Sequence, residues 1–158
     1  MEKRSEEAVS RFAAGYNCAQ AVGSVFAADI GVPEEVVLRA ATGFGGGMGH
    51  TGGACGAVSG AVLVLGLLFG STGPDGKTAK DETYALVREF TTRFTIRNGA
   101  VSCTELLGCD LSTDEGLARA REQNLARTTC PRYVRDAVEI LEEIVGPRGV
   151  TSGPLQAR

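Results

Sequence analysis

The sequence predicts an all-α protein, a compact single-domain bundle of about six to seven helices with a glycine-rich loop before a buried central helix. Apolar residues recur at helical spacing, capping residues precede the apolar runs, and no stretch alternates apolar and polar residues as strands do. The 158 residues are 43% hydrophobic and 22% charged, values that are ordinary for one globular domain. We expect that domain over residues 1–146 and a loose C-terminal tail over residues 147–158.

Capping and breaking residues place the helices of the first half. A helix is expected over residues 5–15, and Asn17 can cap a second helix over residues 18–29. Proline is favoured at the first position of a helix, so a third helix is expected over residues 33–42. The next segment, residues 43–53, has seven glycines among its eleven residues, which predicts a loop with several positive-φ positions.

The second half begins with the buried central helix, expected over residues 54–69. Its apolar run, residues 57–69, is shorter than the roughly 20 residues that span a bilayer, so we expect no membrane insertion. A long amphipathic helix follows. Ser102 and Thr113 as capping residues and the pair Cys130-Pro131 predict the starts of three more helices. These four helices are expected over residues 77–97, 103–107, 113–125 and 130–145.

Charge and composition exclude several functions. The net charge is −3 and the pI about 5.2, which leaves no basic surface for nucleic acid. The N-terminal segment, residues 1–7, carries both charge signs and lacks the apolar core of a signal peptide. We therefore expect a cytoplasmic protein with reduced thiols. Cysteine clusters in that compartment more often bind metal or catalyse reactions than form structural disulfides.

Cysteine positions carry the strongest chemical signal. There are five cysteines, so they cannot all pair within one chain. Backbone N–H groups and the dipole at a helix start stabilise a thiolate, which is both a nucleophile and a metal ligand. If four helix starts converge, they would suit an iron–sulfur cluster, another thiophilic metal or a thiol–disulfide pair. The cysteines at predicted helix starts are Cys18, Cys55, Cys103 and Cys130.

The glycine-rich loop contains a formal G-x-G-x-x-G over residues 47–52. It follows a predicted helix rather than a strand, and it contains no lysine, so nucleotide binding is not expected. We expect its backbone to pass close to Cys55 and to donate N–H groups to a sulfur or a bound ligand. The candidate cofactor-binding glycines are Gly45, Gly46, Gly47, Gly49 and Gly56.

Two further residues are candidate metal ligands. His50 is the single histidine, and it could act as an additional ligand or a proton relay. Cys109 follows a predicted helix instead of opening one, so we interpret it as a spare thiol that could add a ligand. With one histidine, a His-based hydrolase or metalloprotease is excluded.

Several segments resemble the C_GCAxxG_C_C family of redox-active proteins, over about residues 5–145. The sequence Cys-Gly-Ala-Val-Ser-Gly, residues 55–60, is similar to the CGAxxG signature of that family. Residues 17–22, 43–49, 103–108 and 130–131 resemble its first-cysteine segment, glycine loop, third-cysteine segment and fourth cysteine. The resemblance implies a site role for Cys18, Cys55, Cys103 and Cys130, whereas Cys109 is extra to the pattern. Family members are often encoded beside transporter or oxidoreductase genes, which implies a redox partner protein or such a complex.

Three functional hypotheses follow. The first is a cysteine-ligated metal or iron–sulfur site for electron transfer, as an accessory to an oxidoreductase or transporter. The second is metal-free thiol/disulfide chemistry with no cofactor. The third is a non-catalytic helical partner subunit in which the cysteines merely pack. The sequence leaves open whether the protein is itself an oxidoreductase and whether it forms a homo-oligomer that shares a cluster between subunits.

Overall fold

The structure, a computed structural model, describes residues 3–146, and within this range it is entirely helical apart from turns and one isolated bridge. This confirms the predicted all-α class. The α-helices are α1 (Arg4–Ala13), α2 (Cys18–Ser24), α3 (Ala27–Ile30), α4 (Glu34–Ala41), α5 (Gly45–Met48), α6 (Gly56–Phe69), α7 (Lys77–Asn98), α8 (Cys103–Leu107), α9 (Asp114–Glu122), α10 (Leu125–Thr128) and α11 (Cys130–Val145). The predicted tail, residues 147–158, lies outside the described residues.

Seven of these helices have seven or more residues, in line with the six to seven expected. The predicted helix over residues 18–29 is the main difference, because the chain breaks it into α2 and α3. At the break the Phe26 amide bonds to the carbonyl of Gly23 in a tight turn, and the Phe26 ring is fully buried. The predicted helix over residues 113–125 likewise ends early, because Asn124 adopts a left-handed φ of 54°.

Helix α6 lies at the centre of the bundle and packs against α2, α7 and α11. Phe90 and Phe94 of α7 are fully buried and stack with ring centroids 5.9 Å apart. Helix α11 contributes an apolar face that runs along its whole length. Burial of these faces is the main stabilising contribution to the fold. None of the described helices is long and apolar enough to cross a membrane.

Two glycines in α6 allow α2 to approach closely. A Cβ at Gly60 would lie 2.8 Å from the α-carbon of Ala19, and one at Gly56 would lie 3.0 Å from the Cβ of Cys18. Real Cβ atoms do not pack as closely as 2.8 Å, so Gly60 requires glycine, and at Gly56 a side chain would fit only if α2 shifted by a few tenths of an ångström. The Gly-x-x-x-Gly spacing places both glycines on one face of α6, one turn apart. The result is that the start of α2 is held against the start of α6.

Candidate thiol site

Four cysteines occupy helix starts, as the sequence predicts. Cys18, Cys103 and Cys130 are the first residues of α2, α8 and α11. Cys55 is one residue earlier, at the N-cap of α6 rather than inside the predicted helix. Each sulfur therefore lies where unpaired backbone N–H groups and the helix dipole favour negative charge.

A short antiparallel contact brings the starts of α6 and α8 together. Ala54 and Ser102 form an isolated β-bridge. A single bridge is too short to show the alternation of apolar and polar residues by which a sequence predicts a strand. On either side of it, the Cys55 amide donates to the carbonyl of Val101 at 2.8 Å, and the Cys103 amide donates to the carbonyl of Gly53 at 2.7 Å. Cys55 and Cys103 each follow a bridge residue directly, so the bridge fixes them as diagonal neighbours on the same face.

The start of α2 is held by a capping box. The Asn17 side chain accepts from the Gln20 amide at 2.9 Å, and the Gln20 side chain accepts from the Asn17 amide at 3.0 Å. The Asn17 side-chain amide also donates to the carbonyl of Thr42 at 2.9 Å, which ties Cys18 to the end of α4. The sequence correctly predicts Asn17 as the cap, and this contact across the bundle shows how the cap also positions the first cysteine.

Replacing Asn17 with alanine is expected to lower the free energy of unfolding by about 1 kcal/mol, because a buried helix start loses its cap. Asn17→Ser is the matched control, since serine caps helices about as well as asparagine but lacks the side-chain amide that donates to Thr42. Urea unfolding followed by circular dichroism gives the measurement. An alanine variant as stable as the wild type would show that the cap does not hold α2 in place.

The glycine-rich loop folds over the start of α8. Its φ angles are left-handed at Gly46, Gly47, Gly49 and Gly52, as the composition predicts. A Cβ at Gly47 would lie 2.9 Å from the Cβ of Cys103, so only glycine allows this approach. The loop bonds largely to itself, for example from the Gly53 amide to the carbonyl of Gly47 at 2.9 Å.

Some of the proposed cofactor-binding glycines therefore lie near the thiols, and others do not. Gly47 contacts Cys103 and Gly56 contacts Cys18, while Gly45 packs against Asn17. The amides that donate to a sulfur belong to Ala57 and Val58 of α6 rather than to the loop. Donation from Gly45, Gly46, Gly47, Gly49 and Gly56 to a bound ligand stays a prediction.

The four thiols lie in two pairs, Cys18 with Cys130 and Cys55 with Cys103, and within each pair hydrogen bonding between the thiols shifts both pKa values. The pairs are also close enough to interact electrostatically, since Cys18 is coupled to Cys55 and Cys103. All of these cysteines are free thiols in the structure. Sulfurs that are far apart along the chain thus meet in two neighbouring pairs.

Within the buried pair the two thiols have opposite acidities. The hydrogen bond from Cys103, helped by the amides of Ala57 and Val58, lowers the pKa of Cys55, although burial opposes this effect. The same hydrogen bond and burial raise the pKa of Cys103. Cys55 is therefore the thiolate-forming member, and Cys103 holds the shared proton.

The other pair has the same asymmetry. The hydrogen bond from Cys18 lowers the pKa of Cys130. That bond and burial raise the pKa of Cys18 well above its ordinary value. Each pair thus combines one thiol disposed to ionise with one that donates to it, as a thiol nucleophile and its partner require.

Cys109 and His50 lie at the edge of this arrangement. Cys109 is buried among the side chains of Leu111, Leu117 and Leu125 and interacts electrostatically with Cys103. His50 is exposed, and its ring lies over Gly46. No effect of His50 on the pKa of the four paired thiols is seen within residues 3–146. Their roles as metal ligands stay predictions.

Tyr133 is a neighbour of the thiols that the sequence analysis missed. It follows Cys130 by three residues, a spacing that puts both on the same face of α11. Its hydroxyl donates to the carbonyl of Leu106 at 3.0 Å, and burial together with the nearby thiols raises the pKa of the phenol. The i, i+3 spacing from a candidate cysteine was the signal that could have identified it.

The grouping of the described side chains does not fit a single metal centre. Over residues 3–146, no three side chains of the His, Cys, Asp or Glu type are grouped closely enough to hold one metal ion. Tetrahedral sites need four donors around one point. The observed grouping is two and two, so a shared metal would require the pairs to move together.

Comparison with known proteins then identifies the family. The family model described as "Putative redox-active protein (C_GCAxxG_C_C)" matches residues 16–144. The chain belongs to the C_GCAxxG_C_C family. No curated protein and no solved structure matches the chain at a significant level.

In this C_GCAxxG_C_C protein, the residues of the signature have separable structural roles. Cys55 supplies a sulfur at the N-cap of α6. Gly56 and Gly60 allow α2 to pack closely against α6, and this packing places Cys18 near Cys55. Ala57 contributes one of the amides that stabilise the Cys55 thiolate. The signature thus supplies one thiol of the Cys55/Cys103 pair and the glycines that hold Cys18 of the other pair beside it.

Proposed function

We propose that this C_GCAxxG_C_C protein is a thiol–disulfide redox protein that works through two dithiol pairs, Cys18/Cys130 and Cys55/Cys103. The observation that carries the proposal is the pairing of four thiols at helix starts, with Cys55 and Cys103 held by the bridge between Ala54 and Ser102 and each thiol shifting the pKa of its partner. Two thiols within hydrogen-bonding reach can form a disulfide after small side-chain rotations. Oxidation of one pair releases two electrons and two protons.

The opposite acidities within each pair suit this chemistry. Thiol–disulfide exchange begins when a thiolate attacks a disulfide sulfur. The thiolate would be Cys130 or Cys55, and the second thiol of the pair would then displace the partner as a thiol. The electron acceptor would be a disulfide on a redox partner protein, such as an oxidoreductase or a transporter complex. A cytoplasmic setting would keep the resting pairs reduced.

Reversible loss of thiols tests this proposal. The protein is incubated in glutathione redox buffers of graded composition, and its free thiols are counted after denaturation. We expect the count to fall from five to one on oxidation and to return to five with reductant, because Cys109 has no partner in either pair. In the control variant Cys109→Ser the count should fall from four to none. If no pair oxidises reversibly, a purely packing role for the cysteines gains support.

A second candidate is an iron–sulfur or other thiophilic metal site on Cys18, Cys55, Cys103 and Cys130. It is favoured by the electrostatic coupling of all four thiols and by their positions at helix starts, which stabilise thiolate ligands. Such a group would supply one-electron transfer. Anaerobic reconstitution followed by metal analysis and a visible spectrum tests it. A colourless, metal-free product would contradict this candidate and leave the dithiol proposal intact.

A further inference from the structure

The two dithiol pairs differ in their exposure to solvent. Cys55 and Cys103 are buried, with 3% and 7% of their surface exposed. Cys18 and Cys130 are both half-buried. An external disulfide approaching the molecule therefore has access to the Cys18/Cys130 pair and is obstructed from the Cys55/Cys103 pair. Access to the sulfur limits the rate of thiol–disulfide exchange.

The more exposed pair, Cys18/Cys130, is also in contact with the buried pair. The Cys18 side chain packs against the backbone at Gly56, the residue next to Cys55, where a Cβ would lie 3.0 Å from that of Cys18. The backbone nitrogen of Ala19 would lie 3.1 Å from the same Cβ, so two successive residues of α2 pack against Gly56. Cys18 is therefore the member of the exposed pair that is fixed next to Cys55.

We propose that the pairs act in series, so that Cys18/Cys130 exchanges with an external disulfide and then passes oxidation inward to Cys55/Cys103. This relay rests on the proposed dithiol function and assigns each pair a place in it. The partner it implies carries a disulfide that docks at the half-buried pair. The oxidised product is then the Cys55–Cys103 disulfide, which is buried and therefore shielded from other thiols.

Each step balances as thiol–disulfide exchange. First, Cys130 attacks the external disulfide and Cys18 displaces the second partner thiol, which leaves a Cys18–Cys130 disulfide. Next, the Cys55 sulfur attacks Cys18, forming a Cys18–Cys55 bond and releasing Cys130 as a thiolate. Finally, Cys103 attacks Cys55, which forms the Cys55–Cys103 disulfide and releases Cys18. The proton of Cys103 passes to the released Cys18/Cys130 pair. Two electrons have moved from the buried pair to the exposed one.

The acidities agree with this direction of transfer. A stabilised leaving thiolate departs faster, and Cys130, the group released in the second step, lies at the start of α11, where backbone N–H groups and the helix dipole favour negative charge. The attacking thiolate is Cys55, whose pKa is lowered by the hydrogen bond from Cys103. The order of steps itself follows from the exposure of the pairs and the contact at Gly56.

Kinetics of bond formation test the relay. Reduced wild type and the double variant Cys18→Ser/Cys130→Ser are mixed with oxidised glutathione, quenched with acid, and analysed by mass spectrometry of linked peptides. We expect the Cys55–Cys103 disulfide to form about tenfold more slowly, or slower still, in the double variant, because its buried thiols must meet glutathione directly. An equal rate in both proteins would overturn the relay. Absence of the bond in the wild type would instead overturn the proposed function.

A trapping variant gives an independent result. In Cys103→Ser the last step cannot occur, so a Cys18–Cys55 bond is expected to accumulate under the same conditions. Glutathione attached to Cys55 without any Cys18–Cys55 bond would overturn the relay. Cys109→Ser serves as the control that keeps both pairs, and circular dichroism verifies the helix content of every variant.

Discussion

Gly60→Ala is expected to lower the free energy of unfolding by about 1–3 kcal/mol, because it overpacks the contact between α2 and α6. The added Cβ would lie 2.8 Å from both the α-carbon and the carbonyl oxygen of Ala19. These are backbone atoms, which cannot rotate away as the end of a long side chain can. The clash is relieved only if α2 moves off α6, and that movement would also carry Cys18 away from Cys55.

Gly66→Ala provides the matched control in the same helix. Gly66 is exposed, and a Cβ there would meet no atom within 4 Å. Alanine is the better helix former, so this variant should be more stable than the wild type by about 0.5–1 kcal/mol. Urea unfolding of both variants measures the difference. If Gly60→Ala is as stable as Gly66→Ala, the close packing of α2 on α6 is not present in solution.

Cys103→Ala is expected to shift the alkylation profile of Cys55 upward by about 1–2 pH units, because a hydrogen bond to a charged group contributes about 1.5–3 kcal/mol. Loss of the Cys103 donor removes the largest cause that lowers the pKa of Cys55. The thiolate is the form that reacts, so at neutral pH the variant should react more slowly. Iodoacetamide labelling over a pH series, read from the Cys55 peptide by mass spectrometry, gives the midpoint of the profile.

Cys103→Ser separates the hydrogen bond from the packing. A serine hydroxyl still donates, so the midpoint should stay close to that of the wild type. If a variant changes how easily iodoacetamide reaches Cys55, the plateau of the alkylation rate at high pH changes, but the midpoint of the pH profile does not. If the alanine and serine variants give the same midpoint as the wild type, the pairing of Cys55 with Cys103 does not set the acidity of Cys55.

Local features of the sequence predicted much of the fold. Capping by Asn17, Ser102 and Thr113 is confirmed, each accepting a hydrogen bond from an amide three residues later. These signals were reliable because a cap is a contact within four residues. The positions of the cysteines at helix starts follow from the same local chemistry. The break at Phe26 was missed because the spacing of the apolar residues fits one continuous helix, whereas the chain makes a tight turn in which the Phe26 amide donates to the carbonyl of Gly23.

The arrangement of the thiols could not be predicted from spacing. The partners in each pair are far apart along the chain, and what joins Cys55 to Cys103 is a single isolated bridge between Ala54 and Ser102. A bridge of one residue pair produces no alternation of apolar and polar residues from which it could be predicted. The division into two pairs likewise depends on how α2 and α11 cross α6. A sequence can therefore indicate four sulfurs at helix starts without indicating which of them meet.

The account rests most directly on which cysteines bond when the protein is oxidised. The wild type is oxidised mildly in a glutathione buffer, its remaining thiols are blocked, and the linked peptides are identified by mass spectrometry. We predict disulfides between Cys18 and Cys130 and between Cys55 and Cys103, with Cys109 recovered as a blocked thiol. Recovery of Cys103–Cys109 as the main bond, or of four unlinked cysteines, would contradict the paired thiol site.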